Sequence, residues 1–299
     1  MTSVRGLRCV DVAVSNLEAN SRFYRDIWGL TEVGRSDDAR FYRGTGRYHH
    51  IFAVFERPKA ALLRLIFDAA DRATVDKLHS AVRAAGVRTI EEPHSLSRPG
   101  GGYGFGFQDP ENRNLAVICG VQDHADAIGA TDRPGKISHV VLNSTRASGA
   151  AAFFCDVLGF RVVDESRAMM FLSCNADHHS IALANSDAST LNHISFEMAD
   201  IDSVMRGASR VRDHGYPIEW GPGRHGAGAN VFCYFGGPEE LPIEYTAEVE
   251  QIDETYVPHG PDYWEWPPNR TDRWGITPPP SPRMKRIQQL YRFSDEYRI

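Results

Sequence analysis

Apolar residues alternate with polar ones over short runs, and between those runs they recur at helical spacing. Residues 10–14 (Val-Asp-Val-Ala-Val) read as a strand. A helix is expected over residues 16–27, with Asn16 as its N-cap and Gly29 as its stop. Short strands follow around residues 32–33, 40–42 and 51–54. The order then recurs. Residues 63–67 read as a strand, and residues 73–85 as a helix carrying Val75, Leu78 and Val82 on one face and closed by Gly86. Strands are expected near 87–90, 104–108 and 115–118. Each set has the order β-α-β-β-β.

The second half of the chain repeats the first at an offset of about 129 residues. Phe23-Tyr24 through Trp28-Gly29 matches Phe153-Phe154 through Leu158-Gly159, and His49-His50 matches His178-His179. Phe67-Asp68 matches Phe196-Glu197, and Asp109-Pro110-Glu111 parallels Gly237-Pro238-Glu239. The pattern therefore gives an α+β chain of two tandem domains, residues 1–125 and 134–252, each of two β-α-β-β-β modules. A polar linker lies near 126–135, and an extension covers 253–299.

Three strand-like runs in the second half each carry one metal-competent residue: His139, His193 and Glu244. Strand alternation puts each on one face. Two imidazoles and a carboxylate form the set that holds non-haem Fe(II) on one side and leaves the other coordination positions open. Superposing the repeats places Asp11, Arg64 and Ala116 at the corresponding positions. An arginine and an alanine cannot complete such a site. The asymmetry favours metal binding in the second half only.

Composition narrows the field. The chain has 299 residues and a net charge of -6, with no basic block suited to nucleic acid or a membrane surface. No apolar run approaches the ~20 residues that span a bilayer, and no signal peptide is evident at the N-terminus. Five scattered cysteines without a Cys-x-x-Cys pair read as free thiols, so a reducing cytoplasm is expected. The run Gly100-Gly101-Gly102-Tyr103-Gly104 lacks a following helix with Lys-Ser/Thr and reads as a flexible turn rather than a phosphate loop. The histidines outside the site, His49-His50 among them, read as structural.

The stretch Gly223-Arg224-His225, followed by Tyr234, Pro238 and Glu244, with His139, Asn192-His193 and His179 upstream, resembles the vicinal-oxygen-chelate superfamily. Within it the chain is similar to the two-domain type I extradiol ring-cleavage dioxygenases, over about residues 5–252. The resemblance implies paired modules forming an open barrel-like sheet in each domain, with the metal site in the C-terminal domain. It implies His139, His193 and Glu244 as ligands of Fe(II), with Mn(II) as an alternative. It implies His179 as the acid/base residue, and His225 and Tyr234 as contacts to a bound catechol-type substrate. The implied activity is extradiol cleavage of that diol with O2, and the family is often multimeric, so a homo-oligomer is expected. Cys233, Gly237 and Glu240 depart from the usual signature.

Two alternatives stay open on sequence: a keto-acid-dependent dioxygenase of the same superfamily, and a non-catalytic protein that sequesters small aromatics. The extension, with Tyr263, Trp264, Trp266 and Trp274 among prolines, reads as an extended strap or a cover over the site mouth. A short charged helix is expected within residues 283–299.

Overall fold

The computed structural model describes residues 3–296. The first half comprises β1 (Gly6–Val14), α1 (Leu17–Arg22), β2 (Thr31–Ser36), β3 (Ala39–Arg43), β4 (Phe52–Glu56), β5 (Ala61–Asp68), α2 (Arg72–Ala84), β6 (His94–Ser95), β7 (Tyr103–Gln108) and β8 (Asn114–Cys119). The second comprises β9 (Lys136–Ser144), α3 (Ala147–Leu158), β10 (Arg161–Glu165), β11 (Met169–Ser173), β12 (Ile181–Asn185), β13 (Leu191–Glu197), α4 (Ile201–Asp213), β14 (Trp220–Arg224), β15 (Val231–Gly236) and β16 (Pro242–Ala247). A last short helix, α5 (Pro282–Ile287), follows.

Each half makes one eight-stranded mixed sheet. The strand orders are β2-β3-β4-β1-β5-β8-β7-β6 and β10-β11-β12-β9-β13-β16-β15-β14. The two orders are the same once the labels are shifted, so the repeat seen in sequence is a repeat of topology. In every module the first strand pairs in parallel with the last, as β1 does with β4 and β9 with β12. The two modules of a sheet then meet along an antiparallel seam, β1 with β5 and β9 with β13. Neither sheet closes into a barrel.

One apolar cluster runs through both halves. Its junction is Trp28, fully buried, whose ring stacks on Tyr245 at 3.7 Å and 16°. The Tyr245 hydroxyl donates to the Trp28 carbonyl. Trp28 also bends the helix predicted over residues 16–27. Asn16 caps it as expected, its Oδ1 accepting from Ala19 N at 2.9 Å. Only Leu17–Arg22 is α-helical; Phe23–Trp28 widens into a π-turn. The corresponding Ala147–Leu158 stays α-helical with Leu158 where the first half has Trp28. The wider turn accompanies the larger ring.

Two other expectations change. The strand expected at 87–90 is reduced to a bridge between Thr89 and Phe107, and the regular edge strand is His94–Ser95. Pro93 between them has no N–H to offer a ladder. The glycine run is a turn only over residues 100–102, all at positive φ. Tyr103 and Gly104 belong to β7, where a Cβ on Gly104 would lie 2.3 Å from the Val117 carbonyl oxygen.

The extension holds the halves together. Residues 291–294 add to both seams: Leu191 N donates to Tyr291 O, Leu62 N to Arg292 O, and Ser294 N to Leu62 O. The helix expected within 283–299 is confined to Pro282–Ile287, capped by Ser281, and the last three positions of that range lie outside the described residues. All five cysteines are unpaired. Among the described residues, no helix is long and apolar enough to cross a membrane.

Glu111 makes a second tie between the halves. Its carboxylate accepts from Ser144 Oγ, Thr145 N and Ser189 Oγ at 2.5, 2.8 and 2.7 Å, and pairs with Arg113 at 2.8 Å. Burial opposes its charge, but the hydrogen bonds from Ser144, Ser189 and Thr145 and the Arg113 cation prevail, lowering its pKa from 4.5 to about 2. A depressed carboxyl stabilises the fold above its ordinary value, and that stability is lost as pH falls toward 2. The Glu111→Gln variant is expected to lose about 1–3 kcal/mol near neutrality. In denaturant titrations at a series of pH values, the gap from the parent chain should shrink below pH 4.5.

Candidate metal centre

The second sheet lines up its chemistry by register. Ser195 on β13 pairs with His139 on β9 and with Glu244 on β16, and Glu244 pairs with Tyr234 on β15. Paired residues share a face, so one row across four strands carries His139, Ser195, Glu244 and Tyr234. His193 lies two residues before Ser195 and shares its face. A bulge between Leu191 and His193 lets Asn192 reach the same cavity as His193. The opposite face, with Val140, Leu142, Ile194 and Ile243, belongs to the apolar core.

His139, His193 and Glu244 converge, all buried, with one donor atom from each within 4.8 Å of the others. Glu244 Oε2 lies 3.2 Å from His139 Nε2 and 3.4 Å from His193 Nε2. Donors held about 2.1 Å from one cation at right angles lie roughly 3.0 Å apart, so this spacing suits a cation between them. The outward nitrogens are set for it. His193 Nδ1 meets Asn192 Oδ1 at 2.9 Å, which fixes the proton on Nδ1 and leaves Nε2 free to donate a lone pair. Ser138 Oγ stands 3.2 Å from His139 Nδ1.

Glu244 supplies the strongest sign. Both its carboxylate oxygens are buried, and neither has a hydrogen-bond partner of adequate geometry. Burial opposes its charge, yet the imidazoles of His139, His193 and His225 hold its carboxyl well below the ordinary range. A buried carboxylate without donors is costly, and a divalent cation bound by the three residues would meet that cost. The donor set fits such an ion.

Around the trio stand the other sequence candidates. His225 Nε2 lies 3.0 Å from the Tyr234 hydroxyl, which lies 3.4 Å from His193 Nε2. Burial first, and then Glu244, pushes the Tyr234 phenol well above its ordinary pKa, so it remains a donor. His179 is buried, with its ring 4.3 Å from that of His139. Gly228, at φ 76°, presses on it; a Cβ there would lie 3.0 Å from His179 Cε1.

Behind His179 is a relay that no sequence spacing announced. His178 Nδ1 meets His179 Nδ1 at 3.0 Å, and His178 Nε2 meets Asp164 Oδ2 at 2.8 Å. The Asp164 carboxylate accepts a hydrogen bond from His178 Nε2–H. His178 Nδ1 must then accept, so His179 carries its proton on Nδ1 and presents a bare Nε2. The available signal was the His-His doublet, which makes the same 3.0 Å contact in the first half.

The cavity over these residues has a volume of about 370 Å³. Trp220, Trp264, Trp266, Phe171 and Met169 form much of its wall, and among its described lining residues none is Lys or Arg. Trp264 and Trp266 come from the extension, which therefore supplies part of the cavity wall. The departures from the family signature lie off this face. Cys233 faces the core, where burial pushes its thiol up to about 12. Glu240 binds Arg283 and Arg286, fixing the extension.

Residues 6–117 and 136–245 match the family described as Glyoxalase/Bleomycin resistance protein/Dioxygenase superfamily. The chain belongs to this superfamily. Among superfamily members, metapyrocatechase 2 of Cupriavidus necator is 29% identical over 270 residues, spanning 83% of this chain and 80% of that protein. Biphenyl-2,3-diol 1,2-dioxygenase of Paraburkholderia xenovorans is 27% identical over 274 residues, spanning 85% and 91%. The crystal structure of a Mn(II)-bound glyoxalase from Novosphingobium aromaticivorans is 37% identical, covers 94% of each chain and superposes with a TM-score of 0.87.

Replacing Glu244 with Ala is expected to abolish tight metal binding. Elemental analysis after dialysis should find about one divalent ion per parent chain and none per variant. Retention of the ion by the variant would remove Glu244 from the ligand set.

Proposed function

We propose that the chain is an extradiol dioxygenase that cleaves a catechol-type diol with O2, with His139, His193 and Glu244 holding Fe(II), or Mn(II), which the same donors suit. The observation that carries this reading is the convergence of the buried trio, the bare His179 nitrogen and the His225–Tyr234 pair on one uncharged cavity. When bound, the divalent ion supplies the acidity and the electron path that couple a diol to O2. Both oxygen atoms enter the product, and the ring C–C bond beside a hydroxylated carbon breaks.

The protein residues supply the rest. The Tyr234 hydroxyl and His225 Nε2 stand where they can hydrogen-bond the substrate oxygens and fix their orientation. His179, kept neutral by burial, and also by His139 and His178, accepts a proton on Nε2 and returns it as the ring opens. Asp164 acts through His178 to hold that tautomer. The indoles of Trp264 and Trp266 wall the cavity and would limit the water around a bound ring.

The His179→Phe variant is expected to keep its metal and lose about 10²- to 10⁴-fold in turnover. Oxygen uptake and the yellow ring-fission product report the rate. Undiminished turnover would end the acid/base assignment.

A cavity without a cationic side chain also has a preference. A catechol bearing an apolar substituent should exceed its carboxylated counterpart by at least about tenfold in kcat/KM, since the extra carboxylate would be desolvated unpaired. Equal values would show that charge reaches solvent in the bound state.

A further inference from the structure

The socket in the first sheet that corresponds to the metal centre is occupied by a different kind of chemistry. Asp11 stands at the position of His139 and Arg64 at that of His193, and Asp11 is fully buried. Arg98 grips Asp11 as a fork, Nη1 to Oδ2 at 3.1 Å and Nη2 to Oδ1 at 3.0 Å. Its Nη2 also meets His50 Nε2 at 2.9 Å. Burial first, and then Arg98, keeps the His50 imidazole well below its ordinary pKa and so neutral.

Arg64 is left over. Its side chain is 4% exposed and its Nε lies 3.1 Å from Asp11, but no described group accepts a hydrogen bond from that nitrogen. A cavity of about 500 Å³ opens beside it. Phe55 and Phe41 flank the two guanidinium groups, with Arg64 Cζ 5.9 Å from one ring and Arg98 Cζ 5.7 Å from the other. The charged lining is three arginines, Arg35 with Arg64 and Arg98, against two carboxylates, Asp11 and Glu296. Arg35 is matched by Glu32 at 2.6 Å, and Arg57 is shared between Glu296 at 2.6 Å and Asp38 at 2.9 Å. Asp11 cancels one of the two buried cations. Arg64 keeps an N–H without an acceptor, beside the Phe55 ring.

We propose that this cavity is a binding site for a small aromatic monocarboxylate, whose carboxylate is gripped by Arg64 and whose ring lies against Phe41 and Phe55. The planar guanidinium fork matches a carboxylate in shape. One guanidinium with an unpartnered N–H suits a monoanion better than a phosphate dianion. The two rings favour an aryl group over a bare ion. This site is separate from the metal centre and does not depend on the dioxygenase reading.

Calorimetric titration of the full-length, metal-loaded chain with benzoate tests the site. Benzoate is expected to bind once per chain with a roughly millimolar or lower dissociation constant. Inorganic phosphate and the uncharged isostere benzamide should bind at least about tenfold more weakly. Arg64→Met leaves Asp11 paired with Arg98 and should weaken benzoate at least about tenfold. Ser36→Trp should do the same by blocking the cavity; Ser36 is exposed and lines it, so this variant decides the matter even where Arg64→Met folds poorly. Ring cleavage should be unchanged in both. Failure of the parent chain to bind benzoate, phosphate binding as tight as benzoate, or undiminished binding by Ser36→Trp would each overturn the proposal; the last would place the carboxylate elsewhere, such as at the metal centre.

Discussion

The second half of the molecule is organised by a buried negative charge without hydrogen-bond donors. Glu244 sits in the middle of a sheet, inaccessible to water, with both oxygens unpartnered. An isolated carboxylate there would unfold the site or take up a proton. A cation held among Glu244 and the two imidazoles that the register brings to it would keep it ionised. The bulge at Asn192, the Ser138 contact and the Tyr234 phenol all follow from keeping two imidazole lone pairs aimed at one point.

The first half shows the alternative solution for the same socket. There the buried carboxylate, Asp11, is neutralised by side chains, and Arg64 and Arg98 take the place of an ion. Ala116 and Gly106 occupy the rows where Glu244 and Tyr234 stand in the second half. Duplication of one scaffold thus gave two buried charge sites, one that a cation would complete and the other neutralised by arginines.

Much of this could be read from the chain. The trio was legible because each member sits on an alternating strand and because the repeat supplies a counterpart that lacks it. The module order was legible from periodicity, and the two Asp-capped helices follow it closely, with Asp71 and Asp200 accepting from Thr74 and Ser203. His225 and Tyr234 were found by resemblance alone; their 3.0 Å contact joins a loop to a strand by no fixed spacing. Asp164 escaped notice because it meets His178 from a strand to a loop by no fixed spacing, and the role of Trp264 because an aperiodic segment carries no direction. The π-turn at Phe23–Trp28 ends on an indole stacked against the neighbouring domain, a tertiary contact that helical periodicity cannot report.

The extension is anchored at both ends. Ile252 N donates to the Ala176 carbonyl at one end, and residues 291–294 are bonded to both seams at the other. Between these anchors the segment carries no ligand of the metal trio, yet it supplies two of the cavity's indoles. The same segment also reaches the buried polar groups, since the Tyr256 hydroxyl and His259 N donate to Asp164 at 3.0 and 2.8 Å. Substitutions around Trp264 and Trp266 can reshape the cavity for a different ring while Tyr256 and His259 keep Asp164 in place, so related chains can share one reaction and differ in diet.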